Sequence, residues 1–174
     1  MNNRFKKIAP IIVVLSLTLI GCNNNSAKIS NQTKQTTSKI STYDLIKYKD
    51  SYVGDNSAVA NIISKLPANS YSAGFSLQTA KEPYGMTINY KANKNSKEED
   101  YTKFWSNVQI EELLEKNAVV LLALIKNADS VDFNVEDIGE KPYKYDRKTL
   151  EKKYGGDLRN LFKNDGSLDS FLKS

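Results

Sequence analysis

Apolar residues recur along this chain at two different periods, and each change of period marks an expected element. Val59, Ile62, Ile63 and Leu66 fall at i, i+3, i+4 and i+7, the single stripe of an amphipathic helix. That helix is predicted over 57–66, capped by Asp55 or Asn56 and stopped by Pro67. Period-two alternation follows. Phe75 and Leu77 alternate with Ser76 and Gln78, and Met86, Ile88 and Tyr90 with Thr87, Asn89 and Lys91. Two half-buried strands are predicted, with Pro83 and Gly85 placed to turn them into a hairpin. Val131, Phe133 and Val135 predict a third strand, ended by Gly139 and Pro142.

Between the second and third strands the helical period returns. Ile110, Leu113 and Leu114 form a stripe, and residues 118–125 are then apolar all round, as in a helix buried on most sides. Eight such residues are too few to cross a bilayer. Ser106 and Gln109 are spaced as a capping box for this helix, with Trp105 and Ile110 as its hydrophobic staple. Asn127 is positioned to close it in a left-handed conformation, and Lys126 to cap its negative end. The Lys-rich and acidic stretch 92–102 reads as a solvated loop.

Shorter pieces flank this centre. A helical turn capped by Asp44 is expected over 44–48. Three amphipathic segments close the chain: Leu150 and Tyr154 stopped by Gly155-Gly156, then Leu158, Leu161 and Phe162 capped by Asp157, then Leu168, Phe171 and Leu172 after an Asn164-Asp165-Gly166 turn. The expected fold is α+β: a small, mainly antiparallel sheet of about three strands packed on one long central helix, with flanking shorter helices.

The chain before this domain has a different character. Arg4, Lys6 and Lys7 precede the short apolar run 8–19, and Leu19-Ile20-Gly21-Cys22 follows. This is the layout of a secretory signal ending in a lipobox, in which the small Gly21 precedes a lipid-modified Cys22. Residues 1–21 are expected to be removed by cleavage between Gly21 and Cys22. Cys22 is expected to carry a diacylglyceryl group, with two or three acyl chains in all, enough for stable anchoring where one chain is marginal. Residues 23–42 are almost entirely Asn, Ser, Thr, Gln and Lys. Such a stretch buries too little apolar surface to offset its ordering entropy. It reads as a tether with a mean reach of roughly 25 Å, joined to a single domain over 43–174.

Charge changes the picture once its position is known. The chain has 25 basic and 20 acidic residues, a net charge of +5. Six of the basic residues and none of the acidic ones precede Tyr43, which leaves 19 against 20 in the domain. The basicity belongs to the address and the tether, so no concentrated cationic face for nucleic acid is expected.

Candidate chemistry is sparse. The chain has no His and one Cys, which removes His-dependent triads, an internal disulfide and zinc clusters with His/Cys spacing. Ser170 and Lys173 match S-x-x-K but sit at the chain end. The Asn164-Asp165-Gly166 sequence resembles part of a calcium loop, yet Leu161 and Lys163 occupy positions that need oxygen ligands. Asp129, Asp132, Glu136 and Asp137 would lie near the end of the third strand. Gly155-Gly156 lacks a phosphate-loop Lys. No cofactor or metal is expected. The ten tyrosines suit either contact surfaces or the boundary of the core.

Several stretches together resemble a known family. They are Tyr52-Val53-Gly54-Asp55-Asn56-Ser57, Leu77-Gln78-Thr79 through Glu82-Pro83-Tyr84-Gly85, Ile88-Asn89-Tyr90, Asn117-Ala118 through Leu124-Ile125-Lys126-Asn127, and Gly156-Asp157-Leu158-Arg159. The chain is similar over roughly 47–162 to the bacterial "domain of unknown function 4825" family. The resemblance implies an extracytoplasmic domain of Gram-positive lipoproteins, also associated with the outer part of sensor-type membrane metallopeptidases. That peptidase activity does not carry over, because this chain lacks His-Glu-x-x-His.

The resulting expectation is a non-enzymatic binding or sensory module on the outer face of the cytoplasmic membrane. Its partners would be membrane lipid through Cys22 and a membrane or envelope protein. The expected contact surface is the pair of turns carrying Tyr52, Asp55 and Asn56, and Glu82 and Tyr84. The alternative is a hydrolase of the cell envelope that uses two facing carboxylates.

Overall fold

In the computed structural model, residues 44–94, 98–139 and 142–174 are described. Gly21, Cys22, the signal segment and the tether lie outside them. The first helix, α1 (Asn56–Ile63), is capped by Asp55, whose side chain accepts from the Ala58 N–H at 2.9 Å. Val59, Ile62, Ile63 and Leu66 are all buried, although α1 ends at Ile63 and Leu66 lies in the turn beyond it. The hairpin forms as expected from β1 (Ser72–Gln78) and β2 (Gly85–Tyr90), with Phe75 opposite Ile88 and Leu77 opposite Met86.

The stretch expected as a loop holds a helix instead, α2 (Glu98–Ser106), with Glu98, Glu99 and Asp100 in its first turn. Acidic side chains are stabilised there by the positive end of the helix dipole. Behind them Tyr101 and Trp105, four residues apart on one face, enter the core. The capping box and staple at the next helix are therefore absent. Ser106 ends α2 and its hydroxyl donates to the Thr102 carbonyl, while Gln109 precedes α3 (Ile110–Leu124) without a side-chain cap bond.

The central helix α3 covers the expected apolar run but is shorter at both ends than a cap at Ser106 and a close at Asn127 would make it. Every residue from Asn117 to Leu124 is buried, because α3 touches β3 and β4 on one side and α1, α4 and α5 on others. A helix enclosed in this way needs no polar stripe. Asn127 and Lys126 do not close it: the chain leaves through Ile125 in an extended conformation, and Asn127 has no positive φ.

Beyond α3 come β3 (Ser130–Val135) and a strand not expected from the sequence, β4 (Tyr143–Asp146). The sheet thus has four strands in the order β1-β2-β3-β4. The outer pairs are antiparallel, and β2 and β3 are parallel with Ile88 beside Phe133. A parallel pair needs a long crossover, and α2 and α3 supply it. The start of that pair is close: a Cβ added to Gly85 would lie 2.6 Å from the Ser130 Oγ.

The end of the chain forms α4 (Arg147–Tyr154), a 3-10 turn (Leu158–Asn160) and α5 (Asp165–Lys173). Gly155 closes α4 in the left-handed conformation, at φ 77, and the Asp157 side chain accepts from the Arg159 N–H. Asn164-Asp165-Gly166 is the start of α5 rather than a separate turn, with Asn164 and Ser167 in a capping box. Asp44 does not cap the 3-10 turn Ile46–Tyr48. Asp165, 119 residues away, receives the Ile46 N–H at 2.9 Å.

The helices lie on one face of the sheet, and the tyrosines bind the two layers together. The Tyr101 hydroxyl donates to the carbonyls of Tyr90 and Glu136 and that of Tyr145 to the Glu111 carbonyl, while Tyr154 joins α4 to α3 by donating to the Glu115 carboxylate. Burial raises the pKa of Tyr101 and of Tyr145 to about 12. It also raises those of Tyr90 and Tyr154. A tyrosine raised in this way stabilises the fold fully below its ordinary value of 10 and loses that contribution as pH climbs from 10 toward 12. Alkaline titration is expected to show phenolate absorbance rising together with loss of helical circular dichroism in that window. Ionisation of Tyr101 or Tyr145 at pH 10, followed at their own ring resonances, with the helices intact would contradict it.

Candidate functional site

The two turns expected to form a contact surface are 30 residues apart in sequence and are held by one short segment. That segment is the exit from α3 into β3, residues 125–129. On one side Ser51 forms a bridge with Ile125 and its carbonyl receives the Lys126 N–H at 2.9 Å. The Val53 N–H donates to Asn127 Oδ1 at 2.8 Å. On the other side the Tyr84 N–H donates to Asp129 Oδ2 at 2.9 Å, and the Asp129 N–H returns to the Tyr84 carbonyl at 2.7 Å. Lys126 and Asn127, expected as helix caps, serve instead to hold the first turn.

Within this end of the domain the expected residues differ in what they offer. Tyr52 is 54% exposed, the one large hydrophobic residue so exposed among the described residues. One face of its ring carries the Lys126 ammonium, 4.1 Å from the centroid, a favourable cation–π placement. Glu82 is exposed and Tyr84 half-buried. Asn56 is exposed at the first position of α1. The Asp55 carboxylate is exposed too, but its Oδ1 is committed to capping α1. The Glu82-Pro83 peptide bond is cis.

The residue that sequence reasoning missed is Arg147. Its side chain runs beneath the 125–129 segment. Nη2 donates to the Leu122 and Ile125 carbonyls at 2.6 and 2.9 Å, and Nε to the Ala128 carbonyl at 2.8 Å. The Leu122 carbonyl is one that the end of α3 would otherwise leave unpaired, and the Ile125 carbonyl also accepts from the Ala128 N–H at 3.3 Å. Its backbone N–H also donates to the Asp129 carbonyl at 2.8 Å. Burial lowers the guanidinium's pKa, opposed by Glu151, whose carboxylate lies 3.6 Å from Nη1. An Arg that follows an Asp at a strand-to-helix junction has no sequence signature for this role.

The candidate chemical groups do not assemble. Among the described residues no three His, Cys, Asp or Glu side chains are grouped to hold a metal ion. Asp129 is bound to Tyr84, and Asp132 faces Lys144 at 3.6 Å. Ser170 donates to the Gly166 carbonyl and Lys173 pairs with Asp169, so the S-x-x-K residues are each engaged within α5. An open groove of about 520 Å³ lies at the far ends of β2 and β3 and is lined by one carboxylate, Glu136. A smaller groove of about 300 Å³ beside the start of α3 is also lined by one, Glu112. That carboxylate is held below its ordinary pKa by its bond to Lys116.

Comparison with known proteins gives one result that bears on the domain. No curated protein and no solved structure matches the chain. The model of the family described as Domain of unknown function (DUF4825) matches residues 45–147, more than half of the sequence, and the chain belongs to that family.

Proposed function

We propose that this protein is a lipid-anchored extracytoplasmic module that binds or senses rather than catalyses. Its partner is a membrane or envelope protein, docked at the end of the domain formed by turns 52–56 and 82–85. The observation that carries the reading is the convergence of both turns on residues 125–129. Backbone pairing fixes them before any partner arrives, so little conformational entropy is lost on docking. The exposed Tyr52 ring, backed by Lys126, is the kind of rigid amphipathic group that anchors such contacts. The lipobox supports the location: a domain tethered through Cys22 would meet partners at the membrane surface.

A carboxylate hydrolase is less well supported. Its chemistry uses two facing carboxyl groups, and each of the two grooves is lined by a single one.

Crosslinking in cells from position 52 or 84 of the lipidated protein tests the docking surface. A discrete membrane-protein adduct is expected, and the Tyr52→Ala, Glu82→Ala pair should weaken it by an order of magnitude or more, roughly 2 kcal/mol at a binding hot spot. The same pair should change folding stability by less than about 1 kcal/mol, because both side chains are exposed. An unchanged adduct would reject this surface. For the anchor, Cys22→Ala is expected to abolish lipid labelling and release the protein from the membrane; a variant that still takes up label would refute it.

A further inference from the structure

We propose that the groove at the far ends of β2 and β3 is a binding site for short peptides with free termini, centred on the Asn89–Asn134 amide pair. This site is separate from the docking end: six-residue strands set the two about 15–20 Å apart. Alternation along β2 and β3 sends Ile88, Tyr90, Phe133 and Val135 into the core and leaves Asn89 and Asn134 on the opposite face, which none of the described helices covers. The parallel register sets them side by side, and Asn134 Nδ2 donates to Asn89 Oδ1 at 2.8 Å.

That one bond decides what the pair offers a ligand. A carboxamide has two donor hydrogens and an acceptor oxygen. The bond leaves the Asn89 amino group free to donate and the Asn134 oxygen free to accept. Turning both amides over exchanges the roles and keeps the sum, so the conclusion does not depend on which atom is nitrogen. One donor beside one acceptor complements a single residue of an extended peptide, whose C=O and N–H face the same way, whereas those of one trans peptide bond point oppositely.

The rest of the groove selects among amides. Lys91 and Glu136 line it one residue beyond the register pair Tyr90 and Val135, with the Glu136 N–H bonded to the Tyr90 carbonyl. Neither side chain is in an ion pair with a described residue. A ligand carrying both a carboxylate and an ammonium satisfies both, whereas a neutral ligand satisfies neither. On the β1 side the wall is low, formed by the small Ala73 next to a bulge at Gly74, where φ is 109. The volume of about 520 Å³ lies in the range of small-ligand sites.

The test is a titration of the full-length chain in detergent with trialanine, followed by backbone amide resonances. Saturable shifts are expected at 89–91 and 134–136 and not at 52–56 or 82–85. Asn89→Ala and Asn134→Ala should each weaken binding about 5- to 10-fold. Acetylating the peptide's amino terminus should weaken binding to the parent chain but make no further difference in Glu136→Gln. Absence of saturable shifts, or shifts confined to the turn end, would overturn the proposal. So would saturation by N-acetylglucosamine with no response to trialanine, which would reassign the groove to an N-acetylated sugar. Because the docking end is read separately, failure here leaves the crosslinking result standing, and the reverse also holds.

Discussion

Replacing Arg147 by Met is expected to destabilise the domain by about 3 kcal/mol, the low end of the cost of breaking a buried charge network, because Arg147 and Glu151 are only part-buried. Three carbonyls, those of Leu122, Ile125 and Ala128, lose charge-assisted donors together. Such bonds are individually worth roughly 1.5–3 kcal/mol, and the sum is smaller because they share one side chain. For a domain of this size the loss corresponds to a fall in Tm of about 10 °C. Arg147→Lys should recover less than half of it, since a single ammonium cannot reproduce a planar fork that reaches three carbonyls on two sides. Thermal unfolding of the two variants checks this, and a fall in Tm of less than about 3 °C for Arg147→Met would show that the network is not what holds the α3 exit. A second consequence follows from position. Residues 125–129 carry both turns, so a variant kept folded at low temperature should still lose its crosslinked adduct.

Trp105→Ala should cost a similar amount, about 3–5 kcal/mol, the usual penalty for removing a large buried aromatic. Trp105 is 1% exposed. Its ring packs against Tyr90, Tyr101 and Phe104 at centroid separations of 5.4, 6.2 and 5.1 Å. A staple at an exposed helix start would cost under about 1 kcal/mol, so the magnitude distinguishes the two placements. Trp105→Phe keeps a ring in the site and should cost about half as much or less. Urea denaturation measures all three states, and a loss below about 1 kcal/mol for Trp105→Ala would contradict the core position.

Trp105 also shows where sequence patterning reached its limit. The ends of α2 carry Glu98, Glu99 and Asp100 on one side and Ser106-Asn107 on the other, so its polar surface resembles a loop and its last residues resemble a cap. Tyr101, Phe104, Trp105 and Val108 do fall at i, i+3, i+4 and i+7, but the charge run before them and the cap-like residues among them point to a loop and a later helix start. The fourth strand failed for a related reason. Tyr143-Lys144-Tyr145-Asp146 is four residues long and is ordered by β3 beside it, not by its own propensity. The long helix was legible because its burial is written into every position from 118 to 125, and the hairpin because alternation, Pro83 and Gly85 agree.

The proposed contact surface was half legible. Its residues, Tyr52, Asp55, Asn56, Glu82 and Tyr84, were named from turn composition and resemblance. What fixes them in place reads otherwise in the sequence: Asn127 as a helix end, Asp129 as one of four acids near the third strand, and Arg147 not at all, because hydrogen bonds across 45 or 74 residues leave no local trace. The groove was invisible for the same reason: Asn89 and Asn134 are ordinary outward positions of two strands until a parallel register sets them side by side.

The sequence by itself determined the class of fold, the extent of the main elements, the near-neutral charge of the domain and the lack of His-based chemistry. Each of these depends on residue types and short spacings, which a single chain displays directly. Tertiary structure decided the mixed order of the sheet, the burial of Trp105, the role of Arg147 and the meeting of the two turns on one segment. Those depend on which distant residues become neighbours, and the crossover through α2 and α3, not any local preference, makes that choice.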